Sequence, residues 1–214
     1  MDDIVETGGA KIGMARATWP FAKLTVNKNV LQLNASVIGN LYFRPSDIIS
    51  IEPSSFLSSN GIKINHRVEK YSANVIFLTS GGSELINRIE AIGFLHNTDP
   101  LPWDVEAEIT KYQSGGRFPF KWPAAIAFVV IWNILFLGDE FGYFKSNPNG
   151  IPIGMGGKLA LAFAFLSALA ITVSEPIRKA VLKEGRTIND VKRFLLFLMF
   201  ITGIMFVALC SFPN

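Results

Sequence analysis

Few side chains in this sequence could do chemistry, and the most suggestive are His66 and Arg67 within "GIKINHRVEKYSANVIF", residues 61–77. Successive side chains of a strand point to opposite faces, so Ile62, Ile64 and His66 share one face and Arg67 lies on the other. His66 is therefore expected at the core or its rim, hydrogen-bonded to a nearby backbone group and holding a turn. Arg67, Glu69 and Lys70 read as a solvated charged edge. The other histidine, His96, lies far in sequence from any partner. The adjacent acids Asp139 and Glu140 form at most a weak acid pair or cation site, since neighbouring loop acids are normally solvated. "SGGS" at 80–83 lacks the lysine and the long loop of a phosphate-cradling motif. Cys210 is alone, so it forms no intramolecular disulfide and has no ligand partner at metal spacing. "NAS" at 34–36 matches a glycosylation pattern, which its place in a hairpin reduces to coincidence. These groups assemble no catalytic, cofactor or metal site, and the expectation is a protein that is not an enzyme.

The elements around them divide into two halves. Up to Asp104 there are nine Lys and Arg against ten acids, as in an ordinary domain, and the basic surplus lies downstream. A start of "MDDIVETGGAK" has no apolar stretch of a secretory signal, which places this half in the cytoplasm. Beyond residue 121 come three apolar runs long enough to cross a bilayer, at 122–138, 151–174 and 194–212. The polar residues inside them, Asn133, Ser167, Thr172 and Thr202, are uncharged, whereas proton-coupled chemistry in a membrane needs an ionisable group there. Basic residues flank the runs unevenly. Lys111, Arg117 and Lys121 precede the first; Arg178, Lys179, Lys183, Arg186, Lys192 and Arg193 separate the second and third. The link at 139–150 has only Lys145, joined by Lys158 near its end. Nine against two puts the N-terminus and the 175–193 loop inside and the C-terminus outside. The six basic residues of that loop are the candidate contacts to anionic lipid. Gly156, Ala160, Ala164, Ala168 and Thr172 recur every four residues and form a candidate helix-packing stripe.

The first half reads as short strands broken by turns: "MARATW", "AKLTV", "VLQLN", "NLYFRP", "DIISIEP", "GIKINHRV" and "NVIFLTS". Pro20 punctuates the first two, "NKN" makes a hairpin turn and "SSNG" another. After "SGG" the period becomes helical in "SELINRIEAIGF", with Ser83 as N-cap and Gly93 as stop. Residues 1–12 are assigned to a tail and 97–121 to a linker. Within it "DVEAEITKYQ" forms a short amphipathic helix suited to the membrane interface, and "SGGRFPFKW" a hinge.

Through "LTVNKNVLQLN", "LYFRPSDIISIEP" and "GIKINHRVEKYSANVIFLTS … LINRIEAIGF", residues 13–96 resemble the PH-like domain of bacterial membrane-associated proteins, a relative of the pleckstrin-homology and GRAM groups. In that family a strand ending Ile-x-Ile-x-His precedes a short link, a Phe-containing strand and a terminal helix closing on Gly-Phe. The resemblance implies an α+β fold, a seven-stranded bent barrel with a C-terminal helix plugging one end, here followed by three transmembrane helices. It implies a cell inner-membrane protein whose partners are membrane lipids and either another protein or a second copy, with no nucleic acid and no cofactor. The rival expectation is a small transporter or channel subunit regulated by the domain.

Overall fold

The computed structural model describes residues 3–56, 59–138, 141 and 154–211. The chain falls into two compact units, Met1–Pro119 and Phe120–Asn214.

The first unit is a curled antiparallel half-barrel of seven strands: β1 (Ile4–Ile12), β2 (Ala15–Val26), β3 (Leu31–Asn34), β4 (Asn40–Phe43), β5 (Ile48–Phe56), β6 (Ser59–His66) and β7 (Val75–Leu78). Their spatial order is β4-β3-β2-β1-β7-β6-β5, so β1 lies at the centre between β2 and β7. This corrects the tail assigned to residues 1–12. The strand count of seven nevertheless holds, because "MARATW" and "AKLTV" are one strand. In β2, Ala17 pairs with Ala10 and Ala22 with Gly8, so residues 18–21 bulge opposite Gly9, carrying the exposed Trp19 and a cis bond to Pro20. Bulges absorb residues that would otherwise end the strand. Asn27 makes the predicted hairpin turn: its side-chain Oδ1 accepts the amides of Asn29 and Val30. Of the turn predicted at "SSNG", residues 59–61 belong to β6, and residues 57 and 58 lie outside the described residues.

Alternate residues of the strands build one apolar core, including Ile12, Leu24, Leu33, Phe43, Ile64 and Phe77. Helix α1 (Gly82–Ala91) closes it with Leu85, Ile86 and Ile89, and the following Phe94 is fully buried. The helix begins one residue before Ser83, with Gly81 at the N-cap, so the Ser83 cap is not formed. Gly93, in left-handed conformation at φ 76°, terminates it as the sequence predicts. Helix α2 (Trp103–Gly115) does not sit in a free linker. Its Ile109 and Tyr112 are buried against Tyr42, the ring of Tyr112 stacking on that of Tyr42 with centroids 4.0 Å apart. Strand β4 is thus covered on both faces, Leu41 and Phe43 by the core and Tyr42 by α2. The predicted hinge is also pinned: Arg117 donates to Ile12 O at 2.8 Å, and Asn40 N donates to Arg117 O.

The second unit holds α3 (Trp122–Phe136), α4 (Met155–Val173), α5 (Glu175–Val181) and α6 (Ile188–Ser211). Two of these, α4 and α6, are long and apolar enough to cross a membrane. The expected first span is shorter than predicted. Helix α3 has 15 residues and turns at Leu137–Gly138, about 22 Å at 1.5 Å per residue against a hydrocarbon core of about 30 Å. Helix α6 starts six residues before the predicted run, because Asp190 accepts the Thr187 amide and caps its first turn.

Candidate functional site

His66 ends β6 at the rim of the half-barrel, half-buried. Its Nδ1 accepts the amide of Val68 at 3.2 Å, which leaves Nε2–H to donate to Ser72 O at 2.9 Å. The ring packs beside Phe43 and Tyr71, with centroids 5.1 and 6.0 Å away. Both ring nitrogens are therefore committed to the backbone of the 67–74 link, as expected for a turn-holding residue. Arg67 points outward and is exposed.

At the opposite end of the strands the "SGGS" segment lines an open, polar cleft of about 430 Å³ with Pro53, Ser54, Ser55, Asn60, Gly61 and Glu84. The glycines here are needed for packing. A Cβ on Gly82 would stand 2.6 Å from Gly61 O, and one on Gly61 would stand 2.1 Å from Phe77 O. The motif lets α1 start against the backbone of β6.

Sequence reasoning missed the strongest polar cluster. Arg44 follows β4, and its fork grips Glu106 on α2: Nε donates at 2.9 and 3.0 Å to the two carboxylate oxygens and Nη2 at 2.6 Å. Nη1 donates to Gln113 Oε1 and Nη2 to Thr110, while Gln113 donates to Asp47 and to Tyr42 O. The Glu106 hydrogen bond holds the Arg44 pKa above its ordinary value and the Glu106 carboxyl below its own. The i, i+4, i+7 spacing of Glu106, Thr110 and Gln113 was the available signal, since it places three polar groups on one helical face. Nothing in the sequence says that an arginine 62 residues away meets them.

In the second unit the candidate lipid contacts divide. Arg178 is half-buried and donates to Ile171 O at 3.2 Å and Thr172 O at 2.9 Å, satisfying carbonyls at the C-terminus of α4. Arg186 is buried, as is Asp190. Burial, and secondarily the charge of Arg186, lowers the Lys183 pKa. Lys179, Lys192 and Arg193 are exposed, Lys179 pairing with Glu175 at 2.7 Å. The same end collects three chain segments. Phe120 bridges Leu182, Lys121 N donates to Val181 O, and Lys121 Nζ donates to Lys179 O. Phe120, Leu182, Val191, Leu195 and Ala168 pack beneath. The start of α3, the end of α4 and the start of α6 thus form one platform, which carries Lys179, Lys192 and Arg193, the exposed basic residues among those described in this unit.

Of the predicted stripe, Gly156, Ala160, Ala164 and Ala168 are buried, with Gly157 beside them, and they are the buried residues of α4. Thr172 is half-exposed and donates to Ala168 O. Helix α4 packs on α6, and on α3 through stacked Phe163 and Phe128. Asp139 and Glu140 lie outside the described residues, and among the described ones no cluster of His, Cys, Asp and Glu could hold a metal. No family model, curated protein or solved structure matches the chain.

Proposed function

We propose that the chain is a multi-pass protein of a bacterial inner membrane that presents a cytoplasmic PH-like domain to a partner and works by binding rather than catalysis. One observation carries the membrane half: the apolar helices are bare. Only 28% of the most apolar window of α4 and 11% of that of α6 is buried, and α3 buries no residue. A core helix of a soluble protein hides most of such a surface, and large exposed apolar patches mark contact with lipid or protein. The platform supports three crossings, because the start of α3, the end of α4 and the start of α6 meet at one end, as an antiparallel arrangement requires. The short α3 is then accommodated by local thinning of the bilayer. Seven antiparallel strands followed by a helix packed into their core support the PH-like reading of the first unit.

The platform's exposed Lys179, Lys192 and Arg193 are the residues left to meet anionic headgroups, each worth up to about 1 kcal/mol near an anionic leaflet. Arg178 and Arg186 serve the fold instead. A mild-detergent pull-down, with mass spectrometry of proteins and lipids, tests the proposal. A protein partner lost on removal of residues 1–119, or enrichment of anionic lipid lost in a Lys179→Gln, Lys192→Gln, Arg193→Gln variant, is the expected result. Neither enrichment, together with ion or solute flux through liposomes holding the purified protein, would replace it with the transporter or channel reading.

A further inference from the structure

The geometry around His66 fits only a neutral ring. A backbone amide can only donate, so the Val68 N–H at 3.2 Å requires a bare Nδ1. The proton of the neutral ring is then on Nε2, donated to Ser72 O at 2.9 Å. An imidazolium has two N–H donors and no acceptor. Protonation of Nδ1 sets it against the Val68 N–H, donor to donor, and breaks the bond with which the 67–74 link begins.

That link holds more than itself. Arg67 N donates to Asp47 O just before β5, and Tyr71 N closes a turn on Val68 O. The Tyr71 hydroxyl accepts the amide of Tyr42, 3.3 Å away on the edge strand β4. Asn74 O accepts the Gly13 amide of the β1–β2 turn at 2.8 Å. Lys70 Nζ reaches Ser114 O near the end of α2 at 3.2 Å. The turn before β5, the edge of β4 and the β1–β2 turn therefore all lean on a link whose first hydrogen bond is made by a titratable ring.

The charges nearby give an added proton no partner. Both polar contacts of the ring are with backbone, and its ring neighbours are Phe43 and Tyr71. Arg44, next to Phe43, is met by Asp47 and Glu106. The link brings Arg67, Glu69 and Lys70, all exposed, and Arg117 donates to Ile12 O beside the β1–β2 turn. Cations thus outnumber the one acid, Glu69, that remains.

We propose that the 67–74 link is a pH-sensitive latch, closed while the His66 ring is neutral and opened when the ring takes up a proton, which loosens the β4 edge and the β1–β2 turn together. Imidazole is the side chain that ordinarily changes charge between about pH 5 and 8, so the latch answers a mild fall in pH. The open state binds a proton that the closed geometry excludes. The latch is therefore closed above the imidazole range, and its open fraction rises by up to about tenfold for each pH unit lowered. Helix α2 stays docked meanwhile, through the stacking of Tyr112 on Tyr42 and the Arg44 fork.

The test uses the full chain in detergent micelles, carrying His96→Gln so that His66 is its one imidazole. His96 is exposed and lies outside the latch. Nitrogen-15 NMR of labelled histidine should show the Nε2–H tautomer at about pH 8. Amide exchange, corrected for intrinsic rates, should quicken at Val68, Tyr71, Tyr42 and Gly13 by up to about tenfold per pH unit lowered, with the midpoint of the imidazole titration. Ile89 in α1 should stay protected throughout. His66→Gln keeps a donor and an acceptor but takes no proton, and should lose the pH dependence. An Nδ1–H tautomer, exchange that is flat in pH, or midpoints that differ would each overturn the latch. Those three readings need only the His96→Gln chain, so they decide even where His66→Gln does not fold. A folded His66→Gln with the same pH dependence would overturn it too.

Discussion

His66 shows how one side chain stiffens a link. Its two ring nitrogens meet the backbone of Val68 and Ser72, and its ring fills the space between Phe43 and Tyr71. In His66→Ala the Val68 amide loses an acceptor, the Ser72 carbonyl a donor, and a gap opens beside two aromatic rings. The destabilisation expected from losing such contacts is about 1–3 kcal/mol. Circular dichroism of the detergent-solubilised protein should show the strand signal melting at lower temperature, with partner capture intact where the domain is folded. Lost capture with unchanged melting would make His66 a binding residue. Gly8 and Gly9 teach the complementary lesson. In the sequence they fall within the expected tail, but β1 runs between two strands, where a Cβ on Gly8 would overlap Leu78 O. Strand glycines often mark such close backbone approach, and sequence does not distinguish them from linker glycines.

At the scale of elements, α2 is held to β4 by apolar stacking and by the Arg44 fork, and these respond differently to acid. The folded-state pKa of Glu106 lies below its ordinary 4.5, chiefly through the hydrogen bond from Arg44. Its contribution is therefore complete above about pH 4.5 and is lost as pH falls through the lower folded value. Because Glu106 is 47% exposed, the pair is worth no more than about 1 kcal/mol. Hydrogen exchange of the α2 amides, corrected for intrinsic rates, should show protection falling below pH 4.5 in wild type. Arg44→Leu should begin less protected and change less over the same range; identical acid profiles would remove the ion pair from the account. Helix α4 makes a second prediction. Ala164 is 2% exposed within the small-residue face, and a leucine there overpacks at a typical cost of about 1–3 kcal/mol. Detergent stability of Ala164→Leu should fall, whereas Leu166→Ala, on the exposed side, should change little. Equal effects would mean that the stripe is not the packing face.

For the whole molecule the decisive measurement is orientation. With nine basic residues flanking one side and two the other, a reporter active only outside should work when fused after Asn214 and fail when fused at residue 184. The reverse would invert the membrane reading while leaving the fold untouched. The division into two units was legible because the two halves bury apolar residues by different rules. Strands of the first alternate with period two, while helices of the second are apolar on every side, and both patterns are local properties of the chain. The helical face of Leu85, Ile86 and Ile89, the Asn27 turn and the Gly93 stop were legible for the same reason. What sequence could not supply was every relation made across distance. Strand β1 became central through pairing with β7, more than sixty residues later. Helix α2, expected within a linker, packs on β4 through Tyr42 and Arg44. The basic loop divided into Arg178 and Arg186, turned inward, and Lys179, Lys192 and Arg193, left outside. Charge and periodicity are written residue by residue, but the partner that satisfies a backbone carbonyl or covers an apolar stripe is chosen only when the chain folds back on itself.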